Sequence, residues 1–96
     1  MTDADLLLNL KIDIGLTSKA YDTRLTALIN SAKEFIKQEG ITLNITDSLI
    51  DSQLVIMYAH YLWNKRNEAE AVMPRMLRYA LNNRLFAEKG GASNAN

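Results

Sequence analysis

The chain has 96 residues, 48% of them hydrophobic, which is enough for one small domain and too few for two. Its 11 basic residues balance its 11 acidic ones, so the net charge gives no reason to expect a nucleic acid or an anionic membrane as ligand. The sequence has no cysteine, which excludes thiol catalysis, disulfides and cysteine-based zinc sites.

The N-terminal segment MTDADLLLNLK predicts a short helix over residues 3–11, with Asp3 as its N-cap and the leucines as its apolar face. Because acids precede this short apolar run, we do not expect it to be a secretory signal. The following segment, IDIGLTS, breaks the helical pattern at Gly15 and offers Thr17 or Ser18 as the next cap.

The second helix, over residues 18–39, is the clearest one in the sequence. From Tyr21 to Ile36 its apolar residues recur with the helical period and fill one arc of the helix surface. Gly40 stands where a residue in the left-handed conformation would end the helix. The segment ITLNIT that follows alternates apolar and polar residues, as a short extended piece would.

The third helix, over residues 47–66, is expected to begin at a cap formed by Thr46 or Asp47. Its apolar residues point in every direction, which is typical of a helix surrounded by others. It is therefore the central helix, or one that a neighbouring subunit partly covers. Its near-apolar run from Leu54 to Trp63 falls short of the ~18 residues of a membrane span, so we expect no membrane association.

The fourth helix, over residues 74–87, opens with Pro74, which suits a first turn because that position needs no N–H partner. Two apolar stripes follow it, one of Leu77, Leu81 and Leu85 and the other of Met76, Tyr79 and Phe86. One stripe is enough to dock a terminal helix, so the second needs another explanation. Residues 1–88 thus form an expected compact all-α domain of four helices, and residues 89–96 an expected disordered tail.

Charge is divided unevenly between the two halves of the chain. Residues 1–51 have eight acidic and five basic side chains, and residues 52–96 have three acidic and six basic ones. The net charges are therefore −3 and +3. Unlike faces of this kind suit head-to-tail association of identical subunits, although chance scatter in a short chain gives the same numbers.

The sequence holds no recognisable catalytic or metal site. His60 is the only histidine, and Ile56 and Asn64 occupy the helical positions from which further metal ligands would come. We expect a packed or hydrogen-bonded buried imidazole. Asp47 and Asp51 are explained by the positive end of a helix dipole. The chain is therefore not expected to be an enzyme or to bind a cofactor.

The arginines of the last helix, Arg75, Arg78 and Arg84, allow two interpretations. Arg75 and Arg78 are neighbours on the helix, whereas Arg84 points away from Arg75, and DNA-binding helices usually gather their basic residues on one face. Arginine beside tyrosine and methionine is typical of protein interfaces. The predicted assembly surface comprises Arg75, Met76, Arg78, Tyr79 and Phe86, with the two arginines directed at the acidic half of a neighbour. The alternative is a small helical DNA-binding or regulatory domain that uses the last helix.

Several segments taken in order resemble the small head–tail connector (adaptor) proteins of tailed bacteriophages. They are LLLNLKID, LINSAKEFIKQEG, YAHYLWNKRNE and MPRMLRYALNNR, and the resemblance covers about residues 5–85. The short segment after Gly40 departs from it, because few residues remain there for a loop that would reach into a channel.

The resemblance implies a structural protein of the virion neck, made in the host cytoplasm, with no catalytic residues. Subunits of such a family assemble into a ring beneath the portal of the DNA-filled head, here expected to have about twelve members. The ring extends the DNA channel and links the head to a stopper or tail-completion protein. The packaged DNA passes through without sequence-specific binding.

Overall fold

A computed structural model describes residues 1–68, 70 and 72–94 of the chain. These residues form four α-helices and no strand, so the predicted all-α fold is confirmed for them. The helices are α1 (Asp3–Ile14), α2 (Asp22–Gln38), α3 (Leu49–Lys65) and α4 (Arg75–Asn94), with a short 3₁₀ turn (Lys19–Tyr21) before α2. The segment ITLNIT, which the alternation favoured as extended, is a loop and turn between α2 and α3.

Helix α1 is capped at both ends by local hydrogen bonds. The Asp5 backbone N–H donates to the Thr2 hydroxyl at 3.1 Å, and the Thr2 backbone N–H donates to the Asp5 carboxylate at 3.0 Å. This reciprocal pair is a capping box, so Thr2 and not Asp3 is the N-cap. The helix ends at Gly15, whose φ of 88° is the left-handed conformation that glycine adopts without strain.

Short polar side chains also begin the next two helical segments. Ser18 accepts a hydrogen bond from the Ala20 backbone N–H, as one of the two predicted caps. The cap of α3 is Ser48, which accepts from the Asp51 backbone N–H at 3.1 Å, so neither Thr46 nor Asp47 has that role. Gly40 follows α2 with a φ of 99°, as its position predicts.

Helix α3 lies at the centre of the fold and packs against each of the other three helices. The apolar core that they share consists of Leu6, Leu10, Leu25, Ile29, Ala32, Ile36, Ile41, Leu54, Val55, Ile56, Tyr58, Ala59, Trp63, Leu77 and Leu81. The prediction that α3 is surrounded holds for this inward side only, because Leu49 and Ile50 are exposed. Three neighbouring helices leave one strip of α3 uncovered.

Helix α4 differs from its predicted bounds at the C-terminal end. It continues to Asn94, whereas the sequence predicted an end near residue 87 and a disordered tail from residue 89. Gly90 does not adopt the positive φ that would end a helix, and each further helical residue adds a hydrogen bond. Residues 95–96 of the expected tail lie outside the described residues. Within the described ranges, no helix combines the length and the apolar character that crossing a bilayer requires.

Candidate assembly surface

The outer side of α4 carries large apolar side chains that nothing in the described chain covers. Met76, Tyr79 and Phe86 are 75%, 60% and 79% exposed, whereas Leu77 and Leu81 of the docking stripe are buried. At 3.6 residues per turn, Tyr79 and Phe86 lie within about 20° of each other and Met76 about 60° away from Tyr79. The second stripe predicted from the sequence is therefore exposed, along an arc of about 80° of the helix surface. We call Tyr79 and Phe86 the outer α4 patch.

Met76 lies beside an apolar groove between α3 and α4. The α3–α4 groove has a volume of about 270 Å³ and is lined by Leu49, Ile50, Gln53, Leu54, Met57 and Ala80. Met76 precedes Ala80 by one helical turn and so lies on the same side of α4. Leu49 and Ile50 are among the most exposed apolar residues of the chain. An apolar surface therefore runs from the start of α3 across the seam to the start of α4.

A second apolar surface lies on α1, for which the sequence predicts a single apolar face of leucines. Leu6 and Leu10 are buried in the core, whereas Leu8 and Ile12 are exposed. Leu8 and Ile12 are four residues apart and so share one side of the helix. We call this pair the α1 ridge. The spacing of Leu8 and Ile12 was the signal for it in the sequence.

Arg78 pairs within its own chain, whereas the sequence directed it at the acidic half of a neighbouring subunit. Its two terminal nitrogens donate to the two carboxylate oxygens of Glu39 at 2.9 and 2.8 Å, a paired geometry that only arginine offers. The guanidinium holds the pKa of Glu39 below its ordinary value, and Glu39 raises the pKa of Arg78. Arg78 therefore pairs with the acidic half of its own chain, because the end of α2 lies beside the start of α4. Arg75, by contrast, has no ion-pair partner among the described residues.

Arg84 forms the centre of a polar cluster that joins α3, α4 and the loop before α3. Its Nε donates to Asp51 at 2.7 Å, and its Nη2 donates to the Thr42 carbonyl at 2.8 Å. Asp51 also accepts from the Asn44 backbone N–H, and Glu88 accepts from that of Thr42. The ion pair with Asp51 raises the pKa of Arg84, and the Thr42 N–H lowers the pKa of Glu88.

Asp51 is only 1% exposed, so this cluster is part of the interior of the protein. A buried carboxylate must be paired, and here both of its oxygens are engaged by Arg84. Together with the Arg78–Glu39 pair, the cluster fixes the position of α4 at two places along its length. The exposed side chains of α4 therefore lie on a helix that ion pairs join to the rest of the fold at two places.

His60 lies at the surface between α1 and α3. Its Nδ1 is 2.6 Å from the carboxylate of Asp13, and the imidazole is only partly buried, so the expected buried histidine is wrong in that respect. The carboxylate partner comes from a helix distant in sequence. In the described part of the chain, no three His, Cys, Asp or Glu side chains come together as a metal site would require. The pair joins the end of α1 to α3.

Comparison of the chain with protein-family models, with curated proteins and with solved structures finds no match. Its described surface is that of a small four-helix protein with unpartnered apolar side chains on α1, α3 and α4.

Proposed function

We propose that this chain is a structural protein of the neck of a tailed bacteriophage. In this proposal it forms a homo-oligomeric ring beneath the portal, extends the DNA channel, and links the head to a stopper or tail-completion protein. The observation that carries the proposal is the set of exposed apolar side chains on α4, of which Met76, Tyr79 and Phe86 are the largest. The resemblance of the four quoted segments to head–tail connector proteins supplies the particular assembly.

Exposed apolar groups on several sides of so small a subunit favour assembly. Contiguous apolar patches on soluble proteins mark sites of interaction, and here they occur on α1, on the α3–α4 seam and on the outer side of α4. A ring subunit needs two unlike surfaces, one for each neighbour, and a further surface for the portal or stopper. The number and the separation of the apolar surfaces support that arrangement.

The pairing of the arginines weighs against the alternative of a DNA-binding domain that reads DNA with α4. Arg78 and Arg84 both donate to carboxylates of their own chain, which leaves Arg75 and Lys89 as the basic residues of α4 without such a partner among the described residues. Two separated charges on a neutral chain are a weak electrostatic basis for binding duplex DNA. Packaged DNA that passes through a ring without sequence-specific contacts fits this charge distribution.

The proposal is tested by placing charge on the exposed face of α4. We expect the double variant Met76→Asp, Tyr79→Asp to remain helical, because both side chains lie outside the core, and to lose self-association and head–tail joining. Light scattering measures the first loss and an in vitro joining assay the second. The matched control is Thr23→Asp, Ser31→Asp, which adds the same charge at exposed polar positions of α2.

A folded Met76→Asp, Tyr79→Asp protein that assembles and joins heads to tails as the wild type does would contradict the proposed surface. Strongly salt-dependent binding of the wild type to duplex DNA would favour the alternative function instead.

A further inference from the structure

We propose that the outer α4 patch is the docking site for a helix of another protein, and that this helix carries an acidic residue at each end of an apolar row. The inference rests on the proposed function in one respect, since it gives the chemistry of the protein to which the ring would be joined. The structural basis is a row of four exposed side chains along α4: Arg75, Tyr79, Phe86 and Lys89.

These four side chains share the outer side of α4. Arg75 precedes Tyr79 by four residues and Lys89 follows Phe86 by three, and residues at these spacings are neighbours on a helix. Around the helix axis, each base lies within about 60° of the aromatic residue nearest to it. The row therefore begins and ends with a positive charge, and the two charges are about 21 Å apart along the axis. Met76 lies outside the row, beside the α3–α4 groove, and remains available for contacts between subunits.

The two basic residues of the row are available to a partner. Neither Arg75 nor Lys89 has an ion-pair partner within the described residues. Glu88, the one acidic residue of α4, faces inward, where it accepts from the Thr42 backbone N–H and from Arg84. Arg75 also lies in the first turn of α4, where the positive end of the helix dipole disfavours a base. The outer side of α4 thus combines aromatic groups with uncompensated positive charge.

A small pocket lies at the Lys89 end of the row. It has a volume of about 200 Å³ and is lined by Asn82, Leu85, Phe86 and Lys89. Leu85 and Phe86 supply apolar contact, and Lys89 supplies a positive charge in the same pocket. A helix that places an apolar side chain against Phe86 can therefore bring a carboxylate to Lys89 from one turn further along.

A second copy of this chain matches the row less well than an acidic helix does. Two outer α4 patches that faced each other would bring charges of the same sign together. On α1, whose ridge is also apolar, Asp3 and Asp13 are already paired within the chain. Asp5 alone would then face two positive charges. Charge complementarity therefore favours a foreign helix with an acid for each base of the row.

Binding of two synthetic peptides tests the proposal. Both are fluorescently labelled amphipathic helices with one row of leucines. The first has a glutamate at each end of that row, and the second has a lysine at each of these positions. We expect the glutamate peptide to bind the wild type with a Kd about tenfold lower than that of the lysine peptide, the factor that 1.4 kcal/mol represents. Fluorescence anisotropy measures both constants, and the preference should reverse in Arg75→Glu, Lys89→Glu.

The matched control is Lys19→Glu, Arg24→Glu, which makes the same change of charge at exposed bases outside α4. This control should keep the preference for the glutamate peptide. Phe86→Ala should weaken the binding of both peptides, because it removes an exposed apolar contact and leaves the core unchanged.

Equal binding of the two peptides to the wild type, or a preference that persists in Arg75→Glu, Lys89→Glu, would overturn the proposal. A single-stranded oligonucleotide that binds more tightly than the glutamate peptide would overturn it in favour of a nucleic acid stacked on the aromatic rings. Self-association that is lost in Arg75→Glu, Lys89→Glu would overturn it in favour of a second copy.

Electron microscopy of the wild type separates this proposal from the proposed function. Rings without any preference between the peptides would show that the docking site alone is wrong. A clear preference for the glutamate peptide without rings would support the docking site and contradict the proposed function.

Discussion

The Arg84–Asp51 pair gives the sharpest stability prediction. We expect Arg84→Met to destabilise the protein strongly, because it leaves the carboxylate of Asp51 buried without its counter-ion. Of the hydrogen bonds to that carboxylate, only the one from the Asn44 backbone N–H, at 2.8 Å, would remain. The same change also removes the donor to the Thr42 carbonyl, so the loop before α3 loses its tie to α4.

The magnitude follows from the burial of Asp51. Removing one partner of a buried ion pair costs about 3–5 kcal/mol. Since the Asn44 N–H remains and Arg84 itself is 19% exposed, we expect the lower end, about 3 kcal/mol. A domain of this size has a total unfolding free energy of about 5–14 kcal/mol. The expected loss corresponds to a fall in melting temperature of roughly 12–24 °C.

Chemical denaturation and thermal melts followed by circular dichroism measure this loss. The control is Arg75→Met, the same substitution on the same helix at an exposed position, and it should change stability by about 0.5 kcal/mol or less. Combining Arg84→Met with Asp51→Asn removes the uncompensated charge and should recover part of the loss. Equal losses of unfolding free energy in Arg84→Met and Arg75→Met would refute the reasoning. So would a double variant whose loss equals the sum of the losses measured for Arg84→Met and Asp51→Asn alone.

The remaining predictions concern the core, the second ion pair and the histidine. Leu54→Ala should lower the unfolding free energy by about 2–5 kcal/mol and Leu28→Ala by less, because Leu54 is buried and Leu28 only partly buried. A melting temperature that barely changes in Leu54→Ala would show that the core is misplaced. Because Glu39 has a lowered pKa in the folded protein, its pair with Arg78 stabilises above pH 4.5 and loses that contribution as the pH falls through the lowered pKa. Arg78→Met should therefore lower the unfolding free energy near pH 7 by about 1 kcal/mol or less, since the pair is partly exposed, and the difference from wild type should vanish in acid. We expect no tight zinc or nickel binding that depends on His60, and calorimetry that finds such binding lost in His60→Ala would contradict this.

The helices and the docking of α4 could be predicted because they depend on local patterns. Apolar patterns and candidate caps together indicated four helices, and Gly15 and Gly40 marked two of their ends. The stripe of Leu77 and Leu81 correctly indicated the buried side of α4. Caps were less predictable, since Thr2 and Ser48 each stood next to a residue that could serve as well.

The polar contacts could not be predicted, because each joins residues far apart in the sequence. In the sequence the helix dipole alone accounts for Asp51, and only the fold shows that Arg84, 33 residues later, donates to it. His60 and Asp13 are 47 residues apart, and nothing in the local sequence of His60 points to α1. The uneven charge of the two halves likewise does not indicate that Arg78 pairs with Glu39 of the acidic half within one chain.

Electron microscopy of the concentrated wild-type protein tests the central claim of ring assembly most directly. We expect closed rings with an open centre, which appear as the concentration rises and disappear in the Met76→Asp, Tyr79→Asp variant. Particles no larger than the 10.8 kDa subunit at every concentration reached, with no difference between wild type and variant, would contradict the claim.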